Sequence, residues 1–327
     1  MRPLVSVLIP CYNAGPWVAQ AVESACAQTW PNLEIIVVND GSTDNSREIL
    51  RGFESRPNVR VFDQANRGQT AALNVCLSHA RGDFIQYLDA DDLLAPDKIE
   101  IQMRRLEGRR DCVATSEWAR FYGAGAGAPE DARFVPDETW QDLDPVEWIT
   151  RAFSGGHSML YPGLWLLPRG IVERIGPWRE ELTLNNDAEY FTRAALASAG
   201  CLFCPGAKAY YRSGLPNTLS ATRSRAACLS QVRVLELCEQ HLRASEDSER
   251  TRRAVSAFWQ RVGMALYPHA RDLGESAIAH GRALADVTIE PQGGALFRLM
   301  HRLLGWRGVL RLRQWRIRLG AWWRARA

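Results

Sequence analysis

Short apolar runs, each about as long as a buried strand, punctuate the N-terminal third of the chain and alternate with segments of helical period. Leu4 to Ile9 is the first run, closed by Pro10, and its bounds predict a buried strand. From Trp17 to Ala27, residues Val18, Ala21, Val22 and Ala25 fall on one helical face. Glu34 to Val38 carries four consecutive β-branched residues, Ile35 to Val38, and predicts the second strand. Asp40-Gly41-Ser42 then turns the chain, and Thr43 is placed to cap a helix running through Leu50. The alternation continues with a strand at Val59 to Phe62, a helix from about Gln69 to Ala80, and a strand at Phe84 to Leu88, and Pro96 opens another helix.

Strands that alternate with helices imply parallel βαβ units, whose strands are apolar throughout because helices cover both faces. In such sheets ligands bind beyond the carboxyl ends of the strands. Past residue 120 the pattern loosens. Gly123 to Gly127 alternate with alanine, but no Lys-Ser/Thr follows, which predicts a surface loop and not a phosphate-cradling P-loop. Regular structure resumes near Pro145 to Phe153, around Leu164 to Ile175, and in a helix from about Asp187 to Ala199. After Tyr211 the spacing predicts helices over roughly 220–244 and 250–284. The expected fold is α/β, with a mostly parallel sheet covered by helices and a helical C-terminal region.

The polar residues at the strand ends carry the candidate chemistry. Asp89-Ala90-Asp91-Asp92 follows a hydrophobic strand directly. Clustered carboxylates repel one another unless a cation lies between them, and oxygen-only ligands suit Mg²⁺ or Mn²⁺. A solvated acidic turn is the competing reading. Asn39-Asp40-Gly41-Ser42-Thr43-Asp44 follows another strand. It reads either as an Asp-Gly turn before a helix cap or as a place where Asp40 accepts a hydrogen bond from a base edge. Tyr12, after the first strand, would offer a ring for a base to stack on.

Taken together, Val5 to Asn13, Gln28-Thr29-Trp30, Asp40 to Asp44, Asn66-Arg67-Gly68, Asn74, Gly82 to Ile85 and Asp89 to Asp92 resemble the signature of family 2 glycosyltransferases. The match runs in the family's order and spacing over residues 4–100, and a weaker one continues to about 215. The resemblance implies a GT-A fold, a nucleoside-diphosphate sugar donor, a divalent metal (Mn²⁺ or Mg²⁺) and inversion at the anomeric carbon. It places Pro10, Tyr12, Asp40, Asn66, Gly68, Asn74 and Asp89 at the donor nucleotide. It places Asp91, assisted by Asp89, at the metal, and Asp187 as the catalytic base. Three positions depart from the family pattern: Asn39 and Asn186 replace acids, and Leu73 stands where an arginine commonly precedes Asn74. Without the resemblance, Asp187 reads as an acid favoured by the dipole of its own helix, and Glu189 is the competing carboxylate. Arg212 is either a surface arginine in a Gly-Pro loop or a contact to the donor diphosphate once that loop closes. Trp165 and Trp178 are either core or faces for an acceptor sugar, and His157 reads as a local hydrogen-bonding residue.

Composition changes this picture in three places. The 327 residues suit a GT-A domain over about 1–215, divided near 110 into donor and acceptor halves, a helical extension over 216–290, and a tail over 291–327. The formal net charge of +3 is unevenly spread: residues 291–327 hold nine arginines and no acid, so the body before them is acidic. The tail interleaves arginine with Leu, Ile and Trp at helical spacing from Leu296 onward, a composition suited to an anionic membrane surface. A helix packed on the domain is the alternative, and nucleic acid is disfavoured because no recognisable module accompanies the charge. Eight scattered cysteines, with Cys201-x-x-Cys204 the lone close pair, predict buried free thiols. The N-terminus runs straight into a strand without signal-peptide regions, and no apolar stretch reaches bilayer length. A cytoplasmic protein, peripheral at the membrane face, is the expectation. Two rival readings fit the same residues: a nucleotidyltransferase, and a catalytically silent nucleotide-binding protein. A dinucleotide dehydrogenase does not fit, because no G-x-G-x-x-G follows the first strand.

Overall fold

The computed structural model describes residues 2–123, 132–155, 159–215, 222–289, 303 and 305–309. The Gly-Ala loop past Gly123, His157 and most of the basic tail lie outside them. Four strands form a parallel half-sheet: β1 (Val5–Cys11), β2 (Leu33–Asp40), β3 (Val59–Gln64) and β4 (Phe84–Tyr87), in the order β3-β2-β1-β4. The crossover helices are α1 (Val18–Cys26), α2 (Ser46–Arg51) and α3 (Gln69–His79). Ile35 to Val38 of β2 are inaccessible to solvent, and each such side chain contributes about 1.5–3 kcal/mol of burial.

Beyond β4 the sheet turns mixed. It continues with β8 (Leu166–Pro168), β6 (Val113–Tyr122), β9 (Cys201–Ser213) and β5 (Leu93–Leu94), while β7 (Arg133–Phe134) pairs with β6 off this path. β8 runs antiparallel to β4 and β6, β5 antiparallel to β9, and β6 parallel to β9. The helices here are α4 (Lys98–Leu106), α5 (Pro145–Ser154), α6 (Arg169–Ile175) and α7 (Asn186–Leu196). Three further helices follow: α8 (Arg225–Ser245), α9 (Glu249–Leu266) and α10 (Arg271–Leu284). The single helix expected over 250–284 is therefore two, broken around Pro268, which supplies no backbone N–H. Trp306 of the tail packs edge-on against Tyr267, with ring centroids 5.8 Å apart.

α2 also starts later than expected. Thr43 does not cap it: its N–H and hydroxyl donate to Asn13 Oδ1 across the cleft. Asp44 instead accepts from Ser46 N at 3.0 Å and from Gly15 N at 2.9 Å, which ties the turn after β2 to the turn after β1.

Candidate active site

The ends of β1, β2 and β3 are sewn together by side chains. Asp40, the last residue of β2, is 2% exposed. Its carboxylate accepts from Gln64 Nε2 (2.6 Å), Arg67 N (2.9 Å) and Gly68 N (2.8 Å). Gly41 makes this approach feasible: its φ is +67°, and a Cβ there would lie 2.7 Å from Asn66 N. Asn13, also at positive φ (48°), donates its N–H to Ser42 Oγ. Pro10 is buried within β1 opposite Val38, while Tyr12 is 51% exposed and Asn66 is exposed beside them. Of the residues expected at the nucleotide, Tyr12, Asp40, Asn66 and Gly68 thus meet at one rim.

Asn39 has a local explanation. It faces Asp63 across the β2–β3 pair and donates Nδ2 to Asp63 Oδ1 at 2.8 Å. An aspartate there would set like charges directly opposite one another. Leu73 is in the core. Asn74 Nδ2 donates to Trp178 O and its Oδ1 accepts from Trp178 N, both at 2.9 Å. Both ends of the amide are committed to holding the segment that leads toward α7.

The acidic turn after β4 is the second wall. Asp89 accepts from Gln69 Nε2 at 2.9 Å, and Gln69 Oε1 accepts from Asn186 Nδ2 at 3.3 Å. Gln69, the first residue of α3, thereby links the acidic turn to the first turn of α7, where Asp187 sits. This accounts for Asn186, since an aspartate there has no proton to give Gln69 and would add charge next to Asp89. The electrostatics agree with this proximity. Burial, then the charges of Asp91 and Asp187, push Asp89 up to about 8. Burial raises Asp91 and pushes Asp187 up to about 6. The carboxylates of residues distant in sequence occupy one confined locus.

Asp92 and Arg212 brace that turn. Asp92, 1% exposed, accepts from Arg212 N at 2.7 Å. Burial, then Asp91 and Asp89, hold its carboxyl well above the usual range. Arg212 is not the surface arginine of a loop. It lies within β9 and is 3% exposed. Its guanidinium is held between the rings of Trp17 (4.7 Å) and Phe121 (4.3 Å). Nε donates to Asp91 O and Nη2 to Gln20 Oε1, each at 2.7 Å. These contacts commit the guanidinium to shaping the acidic turn. Sequence reading missed this brace and Gln69; a polar residue opening a helix directly after Gly68 was the only available signal.

Glu189 is removed from the contest for a base. It is 1% exposed and bonded to Arg179 (3.1 Å), Arg193 (2.7 Å) and His241 (3.1 Å). Trp165 is likewise corrected as an acceptor contact. It is fully buried, stacked on Phe191 at 5.1 Å and edge-on to Trp148 at 4.7 Å. Trp178 stacks on Tyr190 at 3.9 Å in the same core.

Residues 6–176, slightly more than half of the chain, match the family model described as glycosyl transferase family 2. YibD, an uncharacterized glycosyltransferase of Escherichia coli K12, is 34% identical over 57% of this chain and 51% of its own length. Chondroitin synthase of Pasteurella multocida is 41% identical over 53% of this chain but only 18% of its own. The chain thus spans about half of the first relative and under a fifth of the second. Among solved structures, S. aureus TarS residues 1–349 in complex with UDP-GlcNAc has a TM-score of 0.67 at 17% identity, covering 86% of this chain and 81% of that one. The mannosyltransferase PcManGT of Pyrobaculum calidifontis, in complex with GDP-Man and Mn²⁺, has a TM-score of 0.53 at 19% identity, covering 88% and 77%.

Proposed function

The chain belongs to glycosyl transferase family 2, and on that premise we propose that it moves a sugar from a nucleoside-diphosphate donor onto a hydroxyl, inverting the anomeric centre. It is a glycosyltransferase with the GT-A fold. Uridine is the base we assign, because a UDP-sugar is bound by the TarS neighbour, and the rim of Tyr12, Asp40, Asn66 and Gly68 would receive it. The acceptor is a glycan or lipid-linked hydroxyl, reached from the half of the domain after residue 110. The arginine-rich stretch 296–327 is assigned to an anionic membrane surface. Among the described residues, no helix is long and apolar enough to cross a membrane.

The observation that carries the reading is the shared locus of Asp89, Asp91 and Asp187, bridged by Gln69. In the reaction, the Asp187 carboxylate takes the proton of the acceptor hydroxyl. The acceptor oxygen bonds to the anomeric carbon from the face opposite the diphosphate, and the bond from that carbon to the phosphate oxygen breaks. One displacement gives inversion. A carboxylate whose proton affinity is raised to about 6 is a stronger base than an exposed aspartate and is still largely ionised at neutral pH; such bases contribute about 10²–10⁴-fold.

The donor set suits a hard divalent cation. Among the described residues, no three His, Cys, Asp or Glu side chains are gathered to hold an ion by themselves. Mg²⁺ and similar ions are commonly held by one or two carboxylates, with phosphate oxygens and water completing the shell. Asp91 and Asp89 would hold it, and its chemistry when bound is to neutralise charge on the departing diphosphate.

The test is a panel of nucleoside-diphosphate sugars with Mn²⁺ or Mg²⁺, scoring released nucleotide and the anomeric configuration of the product. Asp187→Asn is expected to abolish transfer while donor binding stays near the parental value. Asp91→Ala is expected to weaken donor binding only when metal is present. Parental turnover by Asp187→Asn refutes the base assignment, and metal-independent affinity in both proteins removes Asp91 from its role.

A further inference from the structure

Asp187 lies beyond the residues matched by the family model, which end at 176, and besides the Gln69–Asn186 bond the segment that carries it is held by the C-terminal helices. The segment entering α7 has little regular structure of its own. Asn185 sits at φ +60°, a left-handed conformation that non-glycine residues adopt at a cost, and it precedes Asn186 and Asp187 directly. Its carbonyl accepts a bond from Ala188 N at 3.2 Å.

A further set of contacts comes from α8. Ser230, 7% exposed on that helix, points its hydroxyl into the backbone of the entering segment. Its Oγ accepts from Thr183 N at 2.9 Å and from Leu184 N at 3.2 Å, and donates to Leu184 O at 3.5 Å. A hydroxyl has one hydrogen and two lone pairs, and all three are used on two consecutive residues. Eleven residues on, three helical turns along the same face, His241 bonds Glu189 at 3.1 Å. Between them Cys238 meets Thr192 at 3.8 Å. α8 therefore runs along the segment entering α7 and the first two turns of that helix, and Ser230 is its contact to the backbone leading into the base.

We infer that Ser230 is a positioning residue of the transfer reaction: by fixing the backbone of Thr183 and Leu184 from α8, it sets where the Asp187 carboxylate stands against the acceptor hydroxyl. This rests on Asp187 being the base. The helical extension is then a working part of the active site and not an appendage to it. The role requires a small hydroxyl-bearing side chain, so alanine removes it and threonine keeps it.

The experiment compares Ser230→Ala, Ser230→Thr, Leu242→Val and Asp187→Asn in the full chain. The readout is nucleotide released with Mn²⁺ from the sugar nucleotide, among UDP-glucose, UDP-GlcNAc and GDP-mannose, that the parent turns over fastest. Hydrogen exchange at the amides of residues 183–188 and the melting temperature are measured alongside. Displacement of a reacting group by about an ångström costs on the order of 10²-fold in rate. Ser230→Ala is therefore expected to lower kcat by roughly 10- to 100-fold, with donor KM within about threefold of the parent and faster exchange confined to that segment. Ser230→Thr is expected to restore kcat. Leu242→Val thins the buried side of α8 without touching the segment, and is expected to lower the melting temperature alone. The inference is overturned if Ser230→Ala keeps parental kcat while Asp187→Asn is inactive, or if Leu242→Val loses as much kcat as Ser230→Ala. Parental turnover by Asp187→Asn is a separate failure, of the base assignment, and takes this inference with it.

Discussion

Replacing Glu189 by glutamine tests how much of the fold around α7 rests on one buried charge. Burial alone would raise this carboxyl, but the hydrogen bonds from His241 and Arg193 and the charges behind them outweigh it, and it falls from 4.5 to about 2. The side chain is only 1% exposed, so solvent screening takes little away. Each pKa unit is 1.36 kcal/mol of differential interaction, so a shift of this size is worth roughly 3 kcal/mol. The sign follows from the depressed value: the stabilisation is complete above the unfolded pKa of 4.5 and is lost as pH falls from there toward about 2. By about pH 3 roughly 2 kcal/mol of it is gone. Urea or thermal unfolding of the parent and Glu189→Gln, run at about pH 7, 5 and 3, reads this directly. The variant is expected to be less stable at neutral pH by a few kcal/mol, with the gap narrowing toward about pH 3 as the parent loses its own carboxylate. A gap of constant size across that range refutes the reasoning, because the carboxylate's charge would then contribute nothing.

Two further predictions follow from the same geometry. Gly41→Ala places a Cβ 2.7 Å from Asn66 N at a φ of +67°. Its expected cost is about 1–3 kcal/mol, with weakened donor binding as the Asp40 bonds to residues 67 and 68 are disturbed; unaltered melting temperature and affinity would show that the turn yields freely. Turnover by the parent is expected to rise with pH through an inflection near 6, where Asp187 gives up its proton, and to level off above about pH 7. A flat kcat/KM profile between about pH 5 and 8 would exclude a base of this kind.

The parallel half-sheet was legible because its strands are short, mostly apolar runs ending in abrupt polar turns, and those turns are where Asp40 and Asp89 stand. The mixed half was not. β6 reads Val113-Ala-Thr-Ser-Glu-Trp-Ala-Arg-Phe-Tyr122, too polar for a buried strand yet not cleanly alternating. β9 carries Pro205-Gly206, which in sequence mimics a turn. The sheet absorbs that pair in a register shift between Ser116 and Glu117, with Gly206 N bonded to Glu117 Oε1 at 2.9 Å. Because β9 was not recognised as one long strand, Arg212 was assigned to a loop and its burial against Trp17 and Phe121 had no antecedent. The roles of Asn39 and Asn186 were equally hidden: each is an amide because of a partner, Asp63 or Gln69, that only folding brings near.

The connection between β4 and β5 has a mechanical consequence. These two strands are consecutive in sequence, yet three others separate them in the sheet. On a flat sheet four strand spacings are about 19 Å, and the six steps from Tyr87 to Leu93 reach about 20 Å only when fully stretched. The chain there is not stretched, since Asp92 N folds back onto Asp89 O at 3.1 Å. The surface must bend until its two sides are drawn together, with the acidic residues as the clasp. The spacing of those carboxylates is therefore set by the curvature of the sheet, and a substitution in β6 or β9 that flattens it would pry them apart without touching one of them.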